Sequence, residues 1–137
     1  MIKRFVLDSY ALIGYLENEP FSDRIEYVLT QAKKDRLRLY CHMIHLGEVY
    51  YIILRERGRD IADIAYAGVK ALPIKLIDDI TEELLLASAR FKAEYPISYT
   101  DAFAAGMAAL YDCPLMTGDP EFKLLEDKGV LRAEWLT

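Results

Sequence analysis

The sequence has little cysteine, glycine, proline or side-chain amide, and no long apolar run. Two cysteines, Cys41 and Cys113, in 137 residues cannot build a disulfide-stapled fold, and there is no Cys-x-x-Cys pair for a structural zinc. The seven glycines and five prolines are scattered singly. They leave no linker, low-complexity tract or repeat, so residues 1–137 read as a single domain. One Asn (Asn18) and one Gln (Gln31) stand beside 28% charged residues, a balance associated with proteins that work hot. No stretch approaches the roughly 18 apolar residues of a membrane span. The opening Met-Ile-Lys-Arg-Phe-Val-Leu-Asp has too short an apolar centre for a signal peptide. The expectation is a reduced, cytoplasmic protein with no membrane segment. A basic surplus is also missing, since the net charge is −5, which at first sight argues against a nucleic-acid partner. The acid excess is uneven, however. Residues 1–75 carry 12 basic and 10 acidic side chains, and residues 76–137 carry 5 and 12.

What is present is a large apolar fraction, 53%, which excludes a disordered chain. A domain of this mass should expose roughly 7,300 Å² when folded and bury about two-thirds of its extended surface. The apolar pattern predicts strands over Phe5–Leu7, Leu37–Cys41, Ile74–Ile77, Leu115–Thr117 and Val130–Trp135. Between them fall helices over 10–18, from a Ser22 cap to Arg36, over 43–57 up to Gly58, over 60–72 before Pro73, over Thr81–Glu94 and over 99–111. Strands alternating with helices predict an α/β domain with a mainly parallel sheet of about five strands and helices on both faces. Ligands of such sheets bind beyond the carboxyl ends of the strands.

Four acids stand alone in apolar surroundings. Asp8 is the only charged residue from Phe5 to Leu16, Glu48 from Leu39 to Leu54, and Asp101 from Tyr95 to Tyr111, while Asp119 follows Pro114-Leu-Met-Thr-Gly. A carboxylate in a buried run is costly unless it is paired or bound to a cation. Each acid also has a structural reading. Asp8 can cap the helix after its strand. Asp119 can form a Gly-Asp-Pro turn. Asp101 can sit in a capping arrangement with Ser98. Glu48, in mid-helix with Ile44 and Ile52 one turn away, would need a satisfied buried hydrogen bond. Taken together, four acids brought to one sheet edge would take up protons or bind a cation, and an all-oxygen set suits Mg²⁺ or Mn²⁺.

These segments resemble the PIN-domain ribonucleases, particularly the VapC-type toxins of toxin–antitoxin pairs. The resemblance rests on Phe5-Val-Leu-Asp8-Ser9, Leu46-Gly-Glu48-Val-Tyr-Tyr-Ile-Ile-Leu, Ser98-Tyr-Thr-Asp101-Ala-Phe-Ala-Ala and Leu115-Met-Thr117-Gly-Asp119-Pro-Glu-Phe122. It implies a three-layer α/β/α fold and metal-dependent hydrolysis of RNA phosphodiesters. By the same resemblance, Asp8, Glu48, Asp101 and Asp119 would hold the metal and carry catalysis, and Ser9 and Thr117 would orient the carboxylates. An antitoxin protein is the implied protein partner; separately, the apolar helices leave room for a homodimer interface, with a wholly internal role as the alternative. Lys33, Lys34, Arg36, Arg38, Arg55, Arg57 and Arg59 are candidate phosphate contacts, with solvated helix ends as the alternative.

Other readings stay open. An inactive PIN-fold binding module would keep the fold and lose the metal. A phosphoacceptor domain is suggested by Asp78-Asp79 after the third strand, though capping of the helix from Thr81 accounts for that pair more simply. Cys41, His42, His45 and Cys113 offer zinc-type donors without an established zinc spacing.

Overall fold

A computed structural model describes residues 1–137. The chain folds into β1 (Lys3–Leu7), α1 (Ser9–Leu16), α2 (Ser22–Lys33), β2 (Leu37–His42), α3 (Met43–Arg57), α4 (Arg59–Lys70), β3 (Lys75–Ile77), α5 (Glu82–Glu94), α6 (Tyr99–Leu110), β4 (Leu115–Thr117), a 3-10 turn (Pro120–Phe122), α7 (Lys123–Asp127) and β5 (Ala133–Trp135). The exposed surface is 7744 Å², close to the value expected for the mass. No helix is long and apolar enough to cross a membrane.

The five strands form one sheet in the order β3-β2-β1-β4-β5, and every pairing is parallel. Strand alternation divides the interior in two. Leu7, Leu37, Leu39, Cys41 and Met116 face a core shared with α1, α2, α3 and α4. Val6 and Leu115 face the other core, filled by Ala102, Phe103, Met107, Phe122 and Leu125. Both sheet faces are therefore covered, which makes the three layers expected from the alternation of elements.

The differences from the sequence reading lie at element ends. β1 begins two residues early, at Lys3, through parallel pairing of Lys3 and Arg4 with Leu37 and Arg38. α1 stops at Leu16, and α2 stops at Lys33, where Asp35 adopts φ +58°. Ser22 is not the cap of α2. It is the first helical residue, and its hydroxyl bonds to the Asn18 side chain. The fifth strand is Ala133–Trp135, because only these residues pair with β4. Pro120–Asp127 forms a 3-10 turn and a short helix that the apolar pattern does not announce. The break between α3 and α4 falls at Gly58, whose φ of +87° suits a residue without Cβ.

Candidate metal centre

The neighbours of β1 explain where a site can form. β2 and β3 lie on one side and β4 and β5 on the other, so the chain leaves β1 and β4 in opposite directions. The carboxyl ends of these two strands flank the crevice that such sheets use for ligands. Asp8 follows β1 directly and Asp119 follows β4 by one glycine.

Asp8 is 1% exposed. It caps α1 by accepting from the Ala11 amide at 3.0 Å, and its other oxygen accepts from the Thr117 hydroxyl at 2.6 Å. Thr117 Oγ1 in turn accepts from the Asp119 amide at 3.0 Å. The threonine thus ties the two strand ends together. Asp119 caps the 3-10 turn by accepting from the Glu121 amide at 3.0 Å. The turn passes close to α1, because a Cβ at Gly118 would lie 2.5 Å from the Tyr10 ring. Any Cβ there would force the Tyr10 ring to shift.

Asp101 enters from α6. Ser98 caps that helix by accepting from the Asp101 amide at 3.1 Å, which places the carboxylate in its first turn. One ligand atom each from Asp101, Asp119 and Glu121 lies within 4.8 Å of the others. Glu48 reaches the same edge from α3, where its Oε1 accepts from the Ser9 hydroxyl, next to Asp8.

The structure therefore brings Asp101 and Asp119 together, links Asp8 to Asp119 through Thr117, and ties Glu48 to the neighbour of Asp8. The tightest trio includes Glu121 and not Glu48. Glu121 is the residue that sequence reasoning missed. Its signal was Asp-Pro-Glu after a strand, where the turn set by proline brings two carboxylates to one side. The structural readings hold in parallel, since Asp8 and Asp119 are caps and Glu48 has its hydrogen bond.

The electrostatics of the cluster follow from burial and crowding. Burial pushes Asp8 up to about 7, opposed by its bonds from Thr117 and Ala11 and reinforced by the charge of Asp119. Burial also raises Asp101, to about 8, helped by hydrogen bonding to Glu121 and by the charges of Asp119, Asp8 and Glu121. Two ionised carboxylates with oxygens within 4.8 Å repel by roughly 3 kcal/mol at an effective dielectric of about 20. Protons or a cation must relieve that repulsion. Oxygen-only donors crowded to this degree, with Asp101 buried among them, fit a hard divalent ion. Thr117→Val should reveal the value of the bridging hydroxyl. It leaves Asp8 without its side-chain donor and the Asp119 amide without an acceptor, so Mn²⁺ affinity measured by calorimetry should fall about 10-fold or more.

The zinc-type donors Cys41, His42, His45 and Cys113 do not come together as a ligand group. His42 accepts from the Ile44 amide at 3.0 Å and contacts the Asp79 carbonyl at 2.8 Å. Both cysteines are buried free thiols, and burial raises their pKa values. Thr81 itself caps α5, accepting from the Leu84 amide, so Asp78-Asp79 is not needed there. The candidate phosphate contacts lie away from the acids. Leu37 pairs with Lys3, so Lys33, Lys34, Arg36 and Arg38 sit toward the amino edge of the sheet. Arg55 and Arg57 lie roughly 10–13 Å along α3 from Glu48. Arg55 rests on the Tyr51 ring and Arg59 pairs with Asp63.

The PIN domain family model matches residues 5–128. No curated protein sequence matches the chain. Among solved structures, DNA-bound VapBC from Salmonella typhimurium is similar at TM-score 0.76, with 20% identity and full coverage of both chains. VapBC2 from Rickettsia felis, bound to a promoter DNA fragment, is similar at 0.75, with 15% identity over 96% of this chain and 97% of that one. VapC20 from Mycobacterium tuberculosis, a sarcin-ricin loop cleaving toxin, is similar at 0.67, with 14% identity over 90% and 95%. At these identities the likeness is one of fold.

Proposed function

The chain belongs to the PIN-domain family, and on that premise we propose that it is a Mg²⁺- or Mn²⁺-dependent endoribonuclease, the toxin of a VapBC-type pair. The observation that carries this reading is the crowding of Asp101, Asp119 and Glu121 within 4.8 Å, with Asp8 joined to Asp119 through Thr117. Asp8, Asp101 and Asp119 would hold the ion, with Glu121 and Glu48 completing its surroundings. A bound divalent ion supplies positive charge against the phosphate and lowers the pKa of a water that can attack phosphorus.

The protein's part is orientation and proton control. Thr117 turns the Asp8 carboxylate, Ser9 turns that of Glu48, and the Ser98 cap sets the first turn of α6 beneath Asp101. Asp8 and Asp101, both raised toward neutrality, release protons when a cation arrives. Exposed Glu121 and half-buried Asp119 form the open side of the cluster, where an RNA phosphate can approach.

The protein partner is proposed from the VapBC complexes among the structural neighbours. Tyr51, Leu54, Ile61 and Ile64 are exposed on α3 and α4 and give apolar surface to such an antitoxin or to a second copy. The purified chain should cleave RNA with Mg²⁺ or Mn²⁺, stop in EDTA and recover on readdition of metal. Cleavage that ignores EDTA would overturn the mechanism. A chain that gives no heat with Mn²⁺ and cuts no RNA would be the binding module instead. Affinity for RNA should also fall with salt if phosphate contacts hold it.

A further inference from the structure

His45 is fully buried in the first turn of α3, one turn before Glu48. Its Nε2 lies 2.9 Å from the carbonyl oxygen of Thr100, the residue before Asp101. A carbonyl can only accept, so Nε2 carries the proton and donates. Burial lowers the ring's pKa to about 4, which leaves it neutral with a bare Nδ1. That Nδ1 has no hydrogen-bond partner. A buried, unpartnered acceptor is a cost that an apolar side chain of similar size would avoid. Thr100 does not need the bond either, because it lies in α6 and its carbonyl already faces the helix's own i→i−4 ladder. Stability alone does not account for a histidine here.

The bond does connect two parts of the site. No other hydrogen bond joins α3 to α6, and these helices carry Glu48 and Asp101. We infer that His45 is a positioning residue: its bond to Thr100 sets the spacing of Asp101 and Glu48, and so the affinity of the centre for a divalent ion. This rests on the metal-binding reading above. Outer partners that orient metal-holding groups typically account for 10–100-fold in affinity.

The test is Mn²⁺ titration calorimetry together with thermal melting in EDTA, on the wild type, His45→Leu and His45→Gln. His45→Leu removes the donor and the unpaired nitrogen together. Its metal-free melting temperature should equal or exceed that of the wild type, while its Mn²⁺ affinity falls at least 10-fold. His45→Gln, whose amide can reach where Nε2 stands, should recover most of that affinity. Wild-type affinity in the leucine variant overturns the inference. So does an affinity loss that follows a loss of melting temperature in both variants, which would make His45 a packing residue. A wild type that binds no Mn²⁺ overturns the metal reading itself, an outcome distinct from the other two.

Discussion

Asp101→Asn is expected to abolish metal-dependent RNA cleavage while making the metal-free protein more stable at alkaline pH. The two effects have one cause. Asp101 is 8% exposed and its ligand atom lies within 4.8 Å of those of Asp119 and Glu121, so its charge is useful only when a cation offsets it. Asparagine has the same size and keeps the Ser98 cap, which uses the backbone amide. It cannot supply the anionic oxygen. Loss of a directly held carboxylate should exceed the 10–100-fold typical of outer partners, so activity and Mn²⁺ affinity should each drop by more than about 100-fold. Without metal, the removed repulsion is roughly 3 kcal/mol per ionised pair before screening. At pH 6 the wild-type Asp101, with its pKa near 8, is already protonated and resembles asparagine. The variant's higher melting temperature should therefore emerge only above about pH 8, in EDTA. Glu121→Gln, at an exposed position, should show the same signs with smaller changes. A variant that loses activity through lower stability at every pH would contradict this account.

The acids of the candidate centre stand out because burial and charge conflict openly in a sequence. Asp8, Glu48 and Asp101 each interrupt a long uncharged run, and the runs themselves are the strands and helices that carry them. The parallel sheet followed from alternation alone. Other features were not legible for physical reasons. β1 extends to Lys3 because of pairing with β2, a contact made across 34 residues of chain that leaves no local mark on a charged dipeptide. The Ser22 cap failed because the preceding Phe21 took helical angles and the hydroxyl found Asn18 instead. Glu121 was hidden by its surroundings. It stands among Asp119, Glu126 and Asp127, where one more acid looks like solvated surface, and only the 3-10 turn after Pro120 shows that it faces Asp101. The basic residues cluster in sequence, yet parallel topology sends the segment before β2 toward the edge away from Asp8.

In EDTA, the protein should lose stability as pH rises from about 5 to 8.5, and Mn²⁺ should restore it. The sign follows from proton counts. Asp8 has a pKa of about 7 in the fold, raised first by burial, against 3.8 for the ordinary carboxyl. Between those values the folded chain holds a proton that the unfolded chain has released, so folding is favoured less and less as protons become scarce. The contribution is complete below about pH 4 and is lost as pH passes through 7. Asp101, raised to about 8, extends the decline by another pH unit. For fully buried Asp8 the linkage is of order 4 kcal/mol, enough to lower the melting temperature of a domain of this size by roughly 10 °C. Saturating Mn²⁺ acts in the opposite direction. It binds the ionised carboxylates, so its affinity rises with pH, and at 100 times Kd it contributes about 2.7 kcal/mol. Melting curves at pH 5, 7 and 8.5 with EDTA and with Mn²⁺ should therefore diverge as pH rises. Asp8→Asn should partly flatten the EDTA series by removing the first of its two contributors and leaving that of Asp101. A wild-type series that is level or climbs toward pH 8.5 in EDTA would mean that the acids are not crowded in the metal-free protein, and the case for a cation site would lose its physical basis.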